Sequence, residues 1–363
     1  MTEPLQTSAA ELPPPPALSQ ASRLLWLPIL FVATLFLLAV VIRLCGQDPA
    51  HALRELWYGS FGSAGGLAST GARGTILVFY ALGITLSFRA GILNIGAEGQ
   101  SRVGAAAATA LATGALGAML ASHSAFGMFV LLLAGACAGA AWSLIAGLLR
   151  YWRNVPEVIA TLMLNYAGLQ LVKYMVSSPA FLRGASILPQ SDPLPPGLQF
   201  QNWHGTEFHS GAFLAIPVWI FFHLFLFSTL PGFGLRAMGL NPVAAKTCGI
   251  AVGKLGLLSF GVSGALAGFA GALGVMALGR LGYDPTFPDY GFMAIAVALV
   301  ADLKPLYILP SAVLFAGLEV GAKSMQGSAN VSYWVVYLVE GLVILAILVR
   351  GVQVFSKNGD GTR

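Results

Sequence analysis

Charge is what this sequence has least of. Asp, Glu, Lys and Arg make up 9% of its 363 residues and hydrophobic types 57%, whereas an average soluble domain carries roughly a quarter charged residues. The deficit excludes a soluble globular domain and, with it, a basic nucleic-acid binder; the formal net charge of +5 is read as a topology signal instead. Cysteine is scarce too. Cys45, Cys137 and Cys248 are too few and too scattered for a disulfide framework or a zinc-ligand pattern. Missing altogether is the G-x-x-x-x-G-K-[ST] loop, whose backbone amides cradle phosphate and whose hydroxyl holds Mg²⁺. The nearest stretch, 249–255, is one residue short before Gly253-Lys254 and ends in Leu255. Neither an H-E-x-x-H zinc helix nor a G-x-S-x-G elbow is present. The chain is therefore expected to be no enzyme, with no metal or cofactor of its own; any ATP hydrolysis it depends on belongs to another chain.

What the sequence has is apolar length. Runs at 24–42, 126–149, 213–230 and 335–349 suffice, or nearly so, to cross about 30 Å of hydrocarbon at about 1.5 Å per residue. Lipid offers backbone groups no partner, so spans must be helices or a closed barrel, and the alternating ten-residue strands of a barrel are absent. The pattern predicts an all-α polytopic membrane protein with about ten spans, at 24–45, 73–89, 97–120, 126–149, 156–177, 212–231, 255–277, 290–302, 306–322 and 333–350. Lys and Arg gather on one side, including Arg89, Arg150, Arg153, Arg236, Lys246, Lys254 and Lys304, which places both termini and the 232–254 loop in the cytoplasm. Arg102 is assigned to neither side. Residues 1–22, with Pro13 to Pro16, read as a disordered cytoplasmic tail, 23–350 as the transmembrane domain and 351–363 as a second cytoplasmic tail. The first apolar run is too long for a signal peptide and lacks a cleavage site, so it reads as an uncleaved anchor. Residues 178–211 form the longest external loop. Its His204, Glu207 and His209 are of metal-ligating type, but a solvated loop is the favoured reading.

Polar residues inside the apolar stretches carry the functional signal, because they are costly toward lipid. In 93–100, LNIGAEGQ, Asn94, Glu98 and Gln100 stand among small residues ahead of an alanine-rich helix; the segment reads as a pathway-lining element, the alternative being an interfacial loop. In 154–166, NVPEVIATLMLNY, Asn154 is expected to cap a helix begun at Pro156, with Glu157 in its first turn. Glu157, Thr161 and Asn165 then share one face, as interhelical glue worth about 0.6 kcal/mol per bond or as a polar track for solute. Residues 282–305 read as a short half-span bordered by Pro285 and Pro288, as in substrate paths of transporters. Glu319 and Glu340 are further intramembrane carboxylates, either proton sites or, as favoured, bundle-facing bonded acids. Glycines four apart, Gly264 with Gly268 and Gly135 with Gly139, predict closely packed helices.

Residues 232–254, GFGLRAMGLNPVAAKTCGIAVGK, form a basic, glycine-punctuated interruption between apolar runs. Arg236 precedes a Gly-x-Asn-Pro turn at 239–242, a short helix follows over 243–247, and Gly249 is its expected C-cap. This order resembles the cytoplasmic coupling helix of ABC importer permeases of the ribose, branched-chain amino acid and nucleoside group. Three further runs, FRAGILNIGAEGQ (88–100), PEVIATLMLNY (156–166) and GF-x-x-IAVAL (291–299), resemble the nucleoside permeases whose binding protein belongs to the basic membrane lipoprotein family. The sequence departs from that pattern at Ala301, Asp302 and Leu303, where a glycine-rich turn is expected, which leaves subfamily and substrate open.

The resemblance implies a permease subunit in a bacterial cytoplasmic membrane, importing nucleosides or related nucleobase compounds. Its implied partners are a second, often different permease chain, a cytoplasmic ATPase that binds ATP and Mg²⁺, and an external substrate-binding lipoprotein. It assigns Asn94, Glu98, Gln100, Thr161, Asn165 and Phe292 to the solute path. It assigns Arg236, Gly239, Asn241, Pro242, Ala244, Ala245, Lys246 and Gly249 to coupling with the ATPase. The rival readings are a proton-coupled secondary transporter working through Glu98, Glu319 or Glu340, an ABC permease for a simple sugar and, third, a membrane-embedded enzyme.

Overall fold

The computed structural model describes residues 36–203, 205–283 and 290–332, with single positions at 32, 334, 335, 337, 338 and 341. The two tails, half of the expected span 24–45, most of the expected span 333–350, His204, the 284–289 segment and Glu340 lie outside these residues. The chain divides into two units, one of residues 53–330 and one formed by 1–52 with 331–363. In the smaller unit residues 36–44 are helical. Everything below concerns the larger unit.

Among the described residues the fold is all-helical, with only two isolated β-bridges, Gln190 with Gly282 and Asn202 with His209. In chain order the helices are α1 (Pro49–Trp57), α2 (Ala64–Arg89), α3 (Ala97–Thr113), α4 (Gly117–Ser122), α5 (Ser124–Arg153), α6 (Glu157–Ser177), α7 (Ala215–Ser228), α8 (Leu230–Leu240), α9 (Pro242–Thr247), α10 (Val252–Leu278), α11 (Tyr290–Val300) and α12 (Pro305–Ala329). Among the described residues five segments are long and apolar enough to cross a membrane: α2, α5, residues 210–228 ending in α7, α10 and α12. They coincide with five of the expected spans.

The other expected elements differ in instructive ways. The span expected over 97–120 ends at Thr113, where extended Gly114 interrupts it, and resumes as α4. Helix α2 begins nine residues before the expected 73, because the Ser63 side chain accepts a hydrogen bond from the Gly66 amide at 3.0 Å and starts the helix early. Asn154 is not the N-cap of α6. It closes α5 in the left-handed conformation, φ 53°, which Asn tolerates better than most residues, and Pro156 takes the N-cap position of α6. Residues 230–240, with 232–240 expected as loop, form α8, started by the Thr229 hydroxyl accepting from the Gly232 amide at 3.2 Å. The amphipathic α1 and the single π turn Tyr58–Gly62 that follows it have no counterpart in the hydropathy reading, being too short to register as a span.

Helix α2 lies at the centre: every residue from Gly74 to Ser87 is buried, so it has no polar face and needs none. Helix α10 packs on α3 and α5 through glycine. A Cβ on Gly104 would sit 2.5 Å from the Gly268 Cα, and one on Gly268 2.9 Å from the Gly139 Cα. With no hydrophobic drive between helices in lipid, such backbone approach is what gives them dispersion contact and holds the bundle.

Candidate functional site

The polar residues singled out in α3 and α6 converge. The chain unwinds after α2, at Gly91 with φ +71°, and re-enters helix at Ala97, so residues 92–96 leave backbone groups without helical partners. Thr161 and Asn165, one turn apart on α6, supply them: Thr161 Oγ1 accepts from the Ile95 amide at 3.3 Å. Asn165 Oδ1 accepts from the Gly99 amide at 2.8 Å, and its Nδ2 donates to the Ile95 carbonyl at 2.8 Å. Asn94, wholly buried, accepts from the Gly96 amide and from Gln100 Nε2, each at 3.0 Å, and donates to Ser263 Oγ on α10 at 3.0 Å. This layer fastens α3 to α6 and α10 by its own bonds.

Glu98, in the first turn of α3, faces a different neighbour. Its Oε1 pairs with Arg102 at 2.5 Å, while its Oε2 accepts from the Gly291 amide at 2.8 Å. Gly291 lies in the first turn of α11, where amides lack helical acceptors and the helix dipole favours an anion. Only glycine permits the approach, since a Cβ at 291 would lie 2.7 Å from the Glu98 nitrogen. Beside this pair Tyr80 donates to Ser101 Oγ. Tyr80, Glu98, Ser101, Arg102, Gly271 and Gly282 border a cavity of about 40 Å³, close to the roughly 30 Å³ that one water occupies.

The adjacent residue, Tyr290, donates to Glu319 Oε2, and Glu319 also pairs with Arg73 at 2.6 Å and Lys323 at 3.3 Å. Thus two carboxylates, each bonded to a cation, hold the first two residues of α11. Glu98 and Glu319 stand out in the sequence, but their partners Arg102, Arg73 and Tyr290 do not, nor does Tyr80 beside Glu98. Arg102 was within reach as an i,i+4 pair; the others are brought in from distant helices. Phe292 stands apart, 43% exposed between buried Gly291 and Met293. Glu157 turns from the Thr161 face to pair with Arg150.

The 178–211 loop is solvated along much of its length, with Ile187 96% exposed, but it is tied down at several points. Its backbone bonds the end of α10 from Ser191, Leu194 and Phe200, and His209 is buried against the Phe200 ring. Burial pushes the His209 imidazole down to about 4. Glu207 pairs with Arg73 at 3.5 Å.

At the opposite end of these helices, α9 is the short capped helix the sequence calls for. Asn241 Oδ1 accepts from the Val243 and Ala244 amides at 3.0 Å each, Pro242 opens the first turn, and Gly249 closes it at φ +82°. Ala245 is the buried anchor, while Asn241, Pro242, Val243, Ala244 and Lys246 are exposed. Arg236 is not part of that exposed surface. It lies half-buried on α8, its guanidinium 5.0 Å from the Phe227 ring centroid. Gly239 backs onto the end of α2, where an added Cβ would fall 3.0 Å from the Gly91 nitrogen. There Arg89 Nε donates to the Leu303 carbonyl at 2.8 Å and Nη2 to the Asp302 carbonyl at 3.0 Å. Both acceptors are non-glycine residues in the left-handed region, Leu303 at φ 51° and Asp302 at φ 53°, each costing roughly 1–2 kcal/mol. The turn expected at 301–303 is present, then, without its glycines.

The chain matches, over residues 67–348, the family described as the permease component of the branched-chain amino acid transport system. The guanosine ABC transporter permease protein NupP of Bacillus subtilis is 30% identical over 314 residues, 85% of this chain and 88% of its own. The nucleoside ABC transporter permease protein NupB of Lactococcus lactis is 28% identical over 346 residues, 92% of this chain and 93% of its own. The glucose ABC transporter permease protein TsgB13 of Haloferax volcanii is 28% identical over 337 residues, 88% of this chain and 86% of its own. No solved structure matches the chain.

Proposed function

Because this chain belongs to the branched-chain amino acid transport system permease family, we propose that it is the membrane subunit of an ATP-driven importer of nucleosides or related nucleobase compounds. The observation that carries the reading is the polar layer set into the apolar bundle. Asn94, Gln100, Thr161 and Asn165 shape the unwound entry to α3, and Glu98 with Arg102, Tyr80 and Ser101 lines the cavity beside it. In this conformation those groups bond one another; released by movement of α3 and α11, the same set would offer donors and acceptors to the hydroxyls and base edges of a nucleoside.

A cavity of about 40 Å³ is far below the roughly 300 Å³ and upward of a small-molecule site. The route is therefore closed in this conformation and opens by motion of α11 and α3 in an assembly with a second permease chain, which covers exposed Phe292. The exposed face of α9, Asn241, Pro242, Ala244 and Lys246 around the anchor Ala245, seats in an ATPase that binds ATP and Mg²⁺. An external lipoprotein delivers the solute, and the membrane is the bacterial cytoplasmic membrane. Proton coupling is disfavoured by geometry, because Glu98 is spent on Arg102 and the Gly291 amide, and Glu319 on Arg73 and the Tyr290 hydroxyl.

The glucose permease among the relatives supports a second reading, a sugar importer, since ribose and glucose hydroxyls ask for the same donors. Both are separated by a competition panel: reconstituted with its ATPase and binding protein, the complex is expected to accumulate labelled guanosine, with unlabelled nucleosides and not glucose competing. Competition by glucose alone contradicts the nucleoside reading and favours the sugar one.

A further inference from the structure

We propose that Arg89 is the positioning residue that joins the ATPase-facing helix α9 to α11, so that movement begun at the membrane face reaches the Glu98 cavity. The proposal rests on the permease reading above. Its first link is the backbone approach of Gly239, two residues before the α9 cap, to the 89–91 turn that ends α2. A displacement of α8 and α9 presses directly on that turn, because no side chain intervenes to absorb it. The second link is the fork of Arg89, whose Nε and Nη2 bond the Leu303 and Asp302 carbonyls. A planar guanidinium presents both donors at once, whereas a lysine ammonium offers a single point.

The third link is α11 itself. The Leu303 amide donates to the Ala298 carbonyl and the Lys304 amide to Ala301, both at 2.9 Å, so the turn is bonded into the last turn of α11 and moves with it. Its 11 residues make a rod of about 16 Å. The far end of that rod is Tyr290 and Gly291, held by Glu319 and Glu98. One end of α11 is thus gripped by Arg89 and the other by the two carboxylates. Just beyond that turn, Trp219 of α7 donates to the carbonyl of Pro305, the first residue of α12, at 2.6 Å.

Backbone strain supplies an independent pointer. Asp302 and Leu303 are held in the left-handed region although neither is glycine, and such outliers persist only where the surroundings over-determine them. Here the turn's own backbone bonds and the fork of Arg89 together do so. The competing account makes Arg89 a mere prop for a strained turn, and the two accounts part over what relieving the strain restores. Leu303→Gly removes the prop's job and leaves the linkage unreplaced.

The experiment uses the full chain in complex with the ATPase that co-purifies with it in mild detergent, in lipid nanodiscs. Cys45, Cys137 and Cys248 are changed to Ser, and Phe292→Cys, at the exposed position of the otherwise largely buried α11, carries an environment-sensitive fluorophore. ATP is the probe, so no solute need be known. The parent is expected to show an ATP-dependent fluorescence change that Arg89→Ala reduces at least fivefold and Arg89→Lys reduces in part. Adding Leu303→Gly to Arg89→Ala should restore yield and thermal stability but not the amplitude. Recovery of the full amplitude in that double variant overturns the proposal, as does a parent that hydrolyses ATP with no change at position 292. If no ATPase assembles with the wild-type chain, the permease reading itself fails, a result distinct from either.

Discussion

A single carboxylate at Glu98 closes two accounts at once, accepting from the first turn of α11 and pairing with Arg102. Both partners are largely buried, with side chains 8% and 12% exposed, so removing one leaves the other's charge without compensation, at a cost of about 3–5 kcal/mol. Glu98→Gln retains an acceptor for the Gly291 amide but not the ion pair. It is expected to lower the unfolding temperature in detergent and to cut uptake at least tenfold, whereas Glu98→Gln with Arg102→Met recovers most of the stability and little of the uptake. His209 makes a separate prediction. Its folded-state value near 4 lies below the ordinary value near 6.5, so the neutral ring is the one that fits. The stability it contributes is complete above about 6.5 and is lost as pH falls toward 4. Proteolysis of the 190–210 segment should therefore quicken on acidification through that window, and His209→Gln should flatten the dependence.

Among the elements, α9 was the most legible because its signals are local: an Asn cap, a Pro in the first turn and a Gly just past the end all act within a few residues. The same locality misled at Asn154, since Asn suits a helix start and a left-handed helix end equally, and only the path of α5 decides between them. Arg236 was likewise placed by proximity in sequence, when its Phe227 partner on α7 turns it away from the α9 surface. Helix α9 also carries the sharpest test at this scale. The Ala245 amide donates to the Asn241 carbonyl at 3.0 Å, so Ala245→Pro removes that bond and clashes with the preceding turn, costing about 3 kcal/mol or more. Co-purification of the ATPase should be lost while the rest of the chain stays folded by circular dichroism and gel filtration. Retained co-purification with wild-type hydrolysis contradicts α9 as the docking element.

For the molecule as a whole, composition and span length made the all-helical membrane class readable, because lipid removes every alternative for the backbone. The glycine spacing in α5 and α10 likewise foretold their close approach. Hidden from the sequence was the way α11 is held, since Glu319 meets Arg73 across 246 positions and Gly291 meets Glu98 across 193. Partners at that range are set by packing, and no local pattern encodes them. The central claim, that this chain moves solute only when an ATPase drives it, is tested most directly by guanosine uptake into proteoliposomes. Two preparations are compared: the chain with its ATPase, binding protein and ATP, and the chain alone under an imposed proton gradient. The account predicts accumulation in the first and none in the second; gradient-driven accumulation by the chain alone would contradict it.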